Sequence, residues 1–543
     1  MLLSKIALAS FLISLNLLFL SSHLRDEKKI ETPGLWVPDQ GSTYKNPIIY
    51  ADYSDPDVIR IGDDFYLTSS SFVNTPGLPV LHSKDLVNWT IIGHAIDNLP
   101  DKRYDKPLHG DGVWAPSIRF HNGEFYIYYG DPDIGIFVVK TKNPAGRWNK
   151  PVLIKKAKGW EDPCPLWDDD GKAYLIHAWV KSRAGLNSIL SINRMNDSGT
   201  KIIDEGKTVF DGHKTQPTIE GPKLYKRNGY YYIFAPAGGV TEGWQTVLRS
   251  KNIYGPYEER IVLEQGKTNI NGPHQGAWVE TKTGQSWFLH FQDKGAFGRI
   301  VFLEPMKWKN NLPLIGIYND KNGIGEPVYA FKKPGVVKNY ASKVPQTTDE
   351  FNSTKLGLQW QWEANHKSNW YSLTKEHGYL VLNQIALPDD YINLWQVPNL
   401  LMQKFPAPEF TVTTKLIFDP RSSNDESGLI IFGRDYSYLS ISKNENHFIL
   451  QKITCKNAFE NGKDVLEDSV SIPNNIVYLR VHVDSNAVCS FGFSTDGKKF
   501  MNIGKIFVAK KGQWVGAKVG LFALTSKKYN PTGYTKFDWF RFK

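Results

Sequence analysis

Short acidic motifs recur in the first half of the chain, each containing a proline next to an apolar run. Three of them read SDPD from Ser54, EDPCP from Glu161 and EGPK from Glu220, and WAPS from Trp114 and PHQG from Pro273 are related to them. Most of the 55 acidic residues must lie on solvated surface, so a single carboxylate carries little weight. Carboxylates that recur in one cleft are different, because burial and like charge push their pKa values apart. One protonated and one ionised carboxyl group form the pair that cleavage of a glycosidic bond requires.

The elements that must position these acids are five similar segments. Each has a glycine turn followed by an aromatic-rich strand, which is typical of a β-hairpin. Their turn glycines are 48 to 61 residues apart, and the segments read IGDDFYL from Ile61, HNGEFYIYY from His121, DDGKAYLI from Asp169, RNGYYYIF from Arg227 and KTGQSWFL from Lys282. Because near-regular repetition of small sheets is typical of radial architectures, we predict a five-bladed β-propeller over residues 44–334. The alternative is an ordinary antiparallel sheet protein with recurrent turns.

Prolines support the repeat, since one stands six or seven residues before four of the turn glycines, at positions 56, 116, 165 and 222. Proline is tolerated at the first residue of a strand and not inside a central strand. We therefore expect these prolines to mark the innermost strand of each blade. Innermost strands of a propeller converge on a central depression, which places Asp55 and Glu220 on different blades across one cavity. Such a gap favours a carboxyl separation of roughly 6.5–9.5 Å, which leaves room for a water molecule and inverts the anomeric centre.

The charge pattern argues against a nucleic-acid partner. The net charge is +10, but the 65 basic and 55 acidic residues are interspersed and form no basic stripe. The aromatic residues are more informative, because 17 Trp, 26 Tyr and 29 Phe can both fill sheet cores and stack on the faces of sugars.

The N-terminus resembles a secretory signal peptide. Lys5 precedes an apolar run over residues 6–20 that is too short to favour a stable membrane span. We predict a signal peptide at 1–22, a polar leader at 23–43, and a secreted or periplasmic protein that is not inserted in a membrane after cleavage. An uncleaved N-terminal anchor is the alternative.

The repeat stops after Pro334, and a polar connector at 335–347 precedes a different pattern. Residues 348–543 contain eight alternating segments, which predict a β-sandwich of jelly-roll type. The segments are FTVTTKLIF, GLIIFGR, YSYLSISK, HFILQKI, VYLRVHV, CSFGFSTDG, VGLFALT and YTKFDWFRF. The chain is therefore expected to be all-β, with a propeller followed by a sandwich.

Two pairs in the second domain could form cross-links. Asp349 and Asp538 could share a structural calcium ion with backbone carbonyls, or they could be solvated or hydrogen-bonded acids. Cys455 and Cys489 could pair if their strands are adjacent, and the alternative is that they and Cys164 are buried free thiols. No other cofactor is expected, because the sequence contains no CxxC or HExxH motif.

Four segments together carry a family resemblance over about residues 44 to 543. They are NPIIYADYSDPDVIRIGDDFYLTSSSF from Asn46, GVWAPSIRFHNGEFYIYYGDPD from Gly112, IEGPKLYKRNGYYYIFAPAGG from Ile219 and the closing YTKFDWFRF. With these segments the chain resembles glycoside hydrolase family 43, in the group with a C-terminal concanavalin A-like sandwich of β-xylosidase type.

The resemblance implies roles for three carboxylates. Asp55 looks like the general base that activates water, and Glu220 looks like the general acid. Asp131, in YYGDPD, looks like the carboxylate that orients the acid and tunes its pKa, although the residues alone favour a turn-forming aspartate before Pro132. The motif GWEDPCPLW around Asp162 departs from the family pattern and leaves the choice of substrate open.

The resemblance also implies substrate-binding residues. His274 would hold the carboxylate network or a central water or ion, and Arg299 would contact sugar hydroxyls. Phe72 and Trp114 would form walls of the sugar pocket. For His274, Phe72 and Trp114 a purely structural role is the alternative.

The implied activity is an inverting exo-hydrolase that removes terminal β-D-xylose or α-L-arabinofuranose from plant cell-wall polysaccharides or oligosaccharides. Xylo- and arabino-oligosaccharides or hemicellulose side chains would be its partners, and the sandwich would close one side of the pocket. A non-catalytic sugar-binding protein and an endo-acting arabinanase are the alternatives. A retaining fructan hydrolase is disfavoured, because EDPCP matches the motifs of that group only superficially.

Overall fold

The computed structural model describes residues 35–318, 322–336, 340–445, 447–526 and 533–543. The predicted signal peptide at 1–22 and residues 23–34 of the predicted leader lie outside the described residues. No helix in the described ranges is long and apolar enough to cross a membrane. The fold is all-β, as predicted.

Five antiparallel sheets form the blades of a propeller within the described residues. Blade I contains Asp57–Ile61, Asp64–Thr68, Gly77–Ser83 and Trp89–Ile96. Blade II contains Trp114–His121, Glu124–Asp131, Gly135–Thr141 and Val152–Lys156. Blade III contains Trp160–Trp167, Ala173–Trp179, Ile189–Met195 and Lys207–Asp211. Blade IV contains Lys223–Arg227, Tyr230–Ala237, Trp244–Ser250 and Glu258–Leu263, extended by Gly325–Glu326 and Ile317–Tyr318. Blade V contains His274–Glu280, Ser286–Asp293, Arg299–Lys309 and Leu312–Ile315.

The five predicted glycine turns are confirmed as the first hairpin of each blade. All five glycines have φ between 62° and 82°, a conformation that costs glycine little. The proline pattern was wrong in blade III, where Pro163 and not Pro165 occupies the position of Pro56. The reason is a longer turn between Trp167 and Ala173, which moves Gly171 away from the start of the strand.

Apolar side chains between neighbouring blades hold the ring together. A buried cluster joins each adjacent pair, and the cluster between blades I and V includes Phe65, Leu67, Leu289 and Leu303. The segment before blade I closes the ring, since Asn46 accepts a hydrogen bond from Leu303 N and donates one to the Leu303 carbonyl, both at 2.9 Å. Strand Thr43–Lys45 also pairs with Ala330–Lys332.

The second domain is a sandwich of two sheets. In the described residues, one sheet contains Gln361–Trp362, Leu401–Lys404, Lys518–Thr525, Asp425–Phe432, Tyr436–Asn444, His447–Cys455 and Asp464–Ile472, with Ile385–Ala386 at its side. The other contains Tyr371–Ser372, Leu380–Asn383, Tyr534–Phe542, Phe410–Asp419, Ile476–Val483, Val488–Ser494 and Met501–Asn502, with Phe507–Val508 at its side. All eight predicted segments are strands. Phe410–Asp419 alternates strictly between buried and half-buried positions, as a strand with one face on a core must.

Helices are short connections. The described ranges contain two α-helices, Lys181–Ala184 and Gly239–Glu242, and four 3₁₀ helices, Lys102–Asp105, Gly295–Phe297, Leu394–Gln396 and Ala458–Glu460.

The possible disulfide is not formed. Cys455 lies in one sheet of the sandwich and Cys489 in the other, and both are buried free thiols, as is Cys164.

The two acids proposed for calcium have separate partners. Asp349 accepts hydrogen bonds from Trp360 Nε1 and Phe351 N, both at 2.9 Å, while Asp538 forms an ion pair with Lys415 at 2.7 Å. The described contacts include none between the two carboxylates, and calcium binding there stays a prediction.

The two domains share a core. Tyr50, Phe297 and Phe302 of the propeller pack in one buried cluster with sandwich residues, and Trp362 N donates to Thr75 O at 2.6 Å across the interface. A buried charge pair adds to this: Lys518 donates to both oxygens of Glu363 at 2.7 and 2.9 Å and to Asn74 of the propeller at 2.9 Å.

Breaking this pair will destabilise the protein. Lys518→Met leaves the fully buried Glu363 carboxylate without its cation, which we expect to cost about 3 kcal/mol of unfolding free energy. Adding Glu363→Gln to that variant removes the unpaired charge and is expected to restore most of the loss, as measured by urea denaturation. Equal stability of Lys518→Met and the wild type would contradict the prediction.

Candidate active site

One backbone turn repeats at the inner corner of every blade. The residues at this corner are Asp55, Ala115, Asp162, Gly221 and Gln275, and each has φ between 22° and 60°, which is uncommon for residues other than glycine. Strand register shifts directly beside three of these corners, in blades II, III and V. Such bulges change the direction of a side chain, and strained backbone of this kind clusters at functional sites.

Four of these corner residues line one pocket of about 750 Å³, and at the fifth corner Glu220, the neighbour of Gly221, lines it. This volume is typical of a small-molecule site. Five carboxylates line the pocket: Asp111 is paired with Arg183, and the other four stand at the inner corners of three blades, namely Asp55, Glu161, Asp162 and Glu220.

Asp55 is held on both oxygens and is buried. Its Oδ1 forms an ion pair with Arg299 Nη1 at 2.9 Å, and its Oδ2 accepts from Ser70 Oγ at 2.5 Å. Ser70 Oγ in turn accepts from Ala115 N at 2.7 Å, which ties this carboxylate to the corner of blade II. The arrangement fixes Asp55 while Arg299 supplies the compensating charge.

Glu220 has a raised pKa and is open to the pocket. Burial, followed by the nearby charges of Asp162 and Asp55, raises the pKa of Glu220 to about 8. The side chain still has 34% of its surface exposed, at the pocket. It can therefore donate a proton to a bound molecule at neutral pH.

Asp162 supports Glu220 from the neighbouring blade. Its Oδ2 accepts from Gly221 N at 2.7 Å and from Gln275 Nε2 at 3.3 Å. Burial and the charge of Asp55 raise the pKa of Asp162 to about 6. Because Gly221 directly follows Glu220, the hydrogen bond fixes the backbone that carries the acid.

His274 lies beside Glu220, with Nε2 at 3.5 Å from Glu220 Oε1. Burial and the charge of Arg299 lower the pKa of His274 to about 3, so the ring is neutral. Both ring nitrogens are buried without a hydrogen-bond partner among the described residues. The ring can therefore bind a water molecule or ligand group at the pocket floor.

Aromatic walls come from both domains. Phe72 and Trp114 contact edge to face with centroids 6.5 Å apart, and Trp514 of the sandwich contacts Trp114 in the same way at 6.4 Å. Trp514 remains 46% exposed, and Trp395 and Phe459 of the sandwich also line the pocket. The sandwich thus forms one side of the pocket, as expected.

The prediction that Asp131 lies with the other carboxylates of the site was wrong. Asp131 does not line the pocket, and its oxygens are occupied by Tyr104 Oη at 2.5 Å and Arg103 Nη2 at 3.0 Å. It lies at the end of the second strand of blade II, whereas the pocket acids lie at the start of first strands. Asp162 occupies the place among the pocket acids that was assigned to Asp131.

The other predicted residues meet at the pocket, since Asp55, Glu220, Phe72, Trp114, His274 and Arg299 all line it. Sequence reasoning missed Asp162 and Glu161 as site residues although their motif EDPCP stood in the repeat. It also missed Trp514, for which the sequence gives no local signal.

An axial propeller pocket with a carboxyl group of raised pKa, a second carboxylate paired with arginine, and aromatic walls is typical of a glycosidase. Comparison with known proteins agrees: residues 44–313 match Glycosyl hydrolases family 43, and residues 348–543 match the Beta xylosidase C-terminal Concanavalin A-like domain. The chain belongs to glycosyl hydrolase family 43, which confirms the resemblance.

Individual relatives span nearly the whole chain. A putative beta-xylosidase of Xylanibacter ruminicola is 40% identical over 91% of this chain and 89% of its own length. A non-reducing end alpha-L-arabinofuranosidase of Bacteroides ovatus is 30% identical over 94% of this chain and 97% of its own length. The crystal structure of a family 43 protein from Bacillus licheniformis superposes with a TM-score of 0.78 at 26% identity, over 92% of this chain and 99% of its own.

Proposed function

We propose that this glycosidase removes single pentose units, β-D-xylose or α-L-arabinofuranose, from the non-reducing ends of hemicellulose oligosaccharides with inversion at the anomeric carbon. The observation that carries the proposal is the pairing of Glu220, which keeps its proton, with the Arg299-bound Asp55 in one pocket closed on a side by the sandwich. Relatives named as xylosidases and as arabinofuranosidases support both sugars.

The reaction follows from the two carboxyls. Asp55 takes a proton from a water molecule as the water oxygen forms a bond to the anomeric carbon. The bond from that carbon to the leaving oxygen breaks, and Glu220 gives its proton to the leaving oxygen. Because the two groups come from different blades, water and sugar can lie between them.

The pocket shape supports exo action. Trp395, Phe459, Gln513 and Trp514 line the pocket from the sandwich side, where in this proposal they block the path of a long polysaccharide. An endo-acting arabinanase would need such a groove.

Asp162 tunes the acid in this proposal. Its negative charge raises the pKa of Glu220, so Asp162→Asn should lower that pKa and move the alkaline limb of the kcat/KM profile to lower pH, by about one pH unit. Profiles with 4-nitrophenyl β-D-xylopyranoside measure this shift. An unmoved limb with normal folding would contradict the role.

A panel of 4-nitrophenyl pentosides and hexosides tests the activity, with NMR of the first-formed sugar to read its anomeric configuration. We expect release of xylose or arabinose with inversion, and single sugars from xylo- or arabino-oligosaccharides. Retention would refute the mechanism, internal cleavage of arabinan would favour the endo enzyme, and binding without hydrolysis would indicate a sugar-binding protein.

We also propose that the protein is secreted or periplasmic, with residues 1–22 as its signal peptide, and that Asp349 and Asp538 bind a structural calcium ion. Cell fractionation with N-terminal sequencing tests the first proposal. A melting temperature unaffected by EDTA would count against the second.

A further inference from the structure

Of the four carboxylates at the inner corners of the blades, Glu161 has no part in the reaction described above. Glu161 stands at the corner of blade III in the position that Glu220 has in blade IV and His274 in blade V, one residue before the left-handed corner residue. It is 5% exposed and lines the same pocket. Because equivalent positions of the blades face the same axial pocket, the Glu161 side chain is expected to lie near the group on which Glu220 acts.

The Glu161 carboxyl lacks a protein partner. None of the described residues forms a hydrogen bond or ion pair with it, whereas Asp55 and Asp162 each accept two hydrogen bonds. The nearby cation Arg183 is already paired with Asp111 at 2.7 Å and with Asp133 at 3.3 Å. Because the Glu161 side chain lines the pocket, a group of a bound ligand can supply the missing partner.

The backbone below Glu161 is fixed. Gly130 of blade II packs against it so closely that a Cβ at position 130 would come within 3.2 Å of Glu161 Cα. The preceding residue, Trp160, stacks on His177 with centroids 3.7 Å apart. A side chain on such a support is held in place before a ligand arrives, as binding residues require.

We propose that Glu161 is a substrate-binding residue whose carboxyl group forms hydrogen bonds with a hydroxyl of the terminal pentose. Burial, followed by the charges of Asp162, Glu220 and Asp55, raises the pKa of Glu161 well above its ordinary range. A protonated carboxyl group donates one hydrogen bond and accepts another, and an ionised one accepts them, so in either form the Glu161 side chain can bind a sugar hydroxyl.

This inference rests on the proposed pentosidase function, and variants of the side chain test it. Glu161→Gln keeps the shape and one donor and acceptor, and we expect kcat/KM on 4-nitrophenyl β-D-xylopyranoside or α-L-arabinofuranoside, whichever is the better substrate, to fall by less than about ten-fold. Glu161→Leu keeps the bulk but not the polar group, and we expect a fall of about 100-fold. Glu205→Gln, on the exposed surface of the same blade, serves as the matched control and should behave as the wild type.

Monodeoxy substrates locate the hydroxyl. Three monodeoxy analogues of the better pentoside are compared with the full substrate. For one of them, the wild-type kcat/KM should fall by about the same factor as the kcat/KM of Glu161→Leu falls on the full substrate. That analogue should lose little more when combined with Glu161→Leu, because both changes remove the same hydrogen bond. If, for all three analogues, the loss from the missing hydroxyl and the loss from Glu161→Leu multiply in full, the two changes act independently and the inference is overturned.

Three further outcomes bear on the role of Glu161. If Glu161→Leu does not fold, Glu161→Ala is measured in the same cycle. If Glu161→Gln moves the alkaline limb as Asp162→Asn does, Glu161 acts as a charge on Glu220 and the inference fails. If the wild type hydrolyses no pentoside, the proposed function fails; if it does and Glu161→Leu stays within three-fold of it, only this inference fails.

Discussion

Replacing Asp55 with alanine is expected to lower kcat/KM on 4-nitrophenyl pentosides by about 10³- to 10⁴-fold. The variant loses the group that accepts the proton of the attacking water. It also leaves Arg299 without its buried partner, so both activation of water and the position of the arginine suffer. Steady-state kinetics measure the loss, and circular dichroism verifies the fold.

Asp63→Asn is the matched control for Asp55→Ala, because Asp63 is in the same blade and forms only an exposed ion pair with Lys282. Exposed pairs contribute little, so this variant should keep wild-type activity. Asp55→Ala with activity within ten-fold of the wild type would exclude Asp55 as the base.

Replacing Glu220 with glutamine is expected to affect substrates according to their leaving groups. On xylobiose or a natural arabinoside the leaving oxygen needs a proton, and we expect kcat/KM to fall by about 10³-fold. On a 2,4-dinitrophenyl pentoside the leaving phenolate needs none, and the loss should be below about ten-fold. Parallel kinetics on the two substrates measure this difference.

The pH profile gives a second test of Glu220. Because burial and two neighbouring carboxylates raise its pKa to about 8, the acid is protonated below that pH and loses its proton above it. Wild-type activity should therefore fall as the pH rises through about 8, and the residual activity of Glu220→Gln should lack this alkaline limb. An unchanged limb, or equal losses on both leaving groups, would assign the proton donor to another residue.

The position of the third carboxylate shows where sequence reasoning failed. Asp131 and Asp162 both precede a proline, and the motif of Asp162 was part of the repeat. The longer turn after Trp167 displaced Gly171, so that spacing selected Pro165 and hid the corner at Asp162–Pro163. The left-handed backbone at both residues and the strand register of blade III show that Asp162 is equivalent to Asp55.

The walls of the pocket show a second limit of prediction from sequence. Trp114 and Trp514 are 400 positions apart in the sequence, and nothing local to Trp514 marks it as part of a site. Its place depends on how the sandwich packs on the propeller, which is fixed by a shared apolar core and by the buried contact of Lys518 with Glu363 and Asn74.

The sequence by itself determined the blades, the eight main sandwich strands, and Asp55 and Glu220, because hairpin turns, alternating strands and corner motifs are local patterns written in consecutive residues. The tertiary structure alone decided which carboxylates share the pocket, how far the pKa of each is shifted, and which aromatic residues close it. Burial and charge interactions depend on distances between blades and domains, and those distances arise only when the ring closes and the sandwich packs against it.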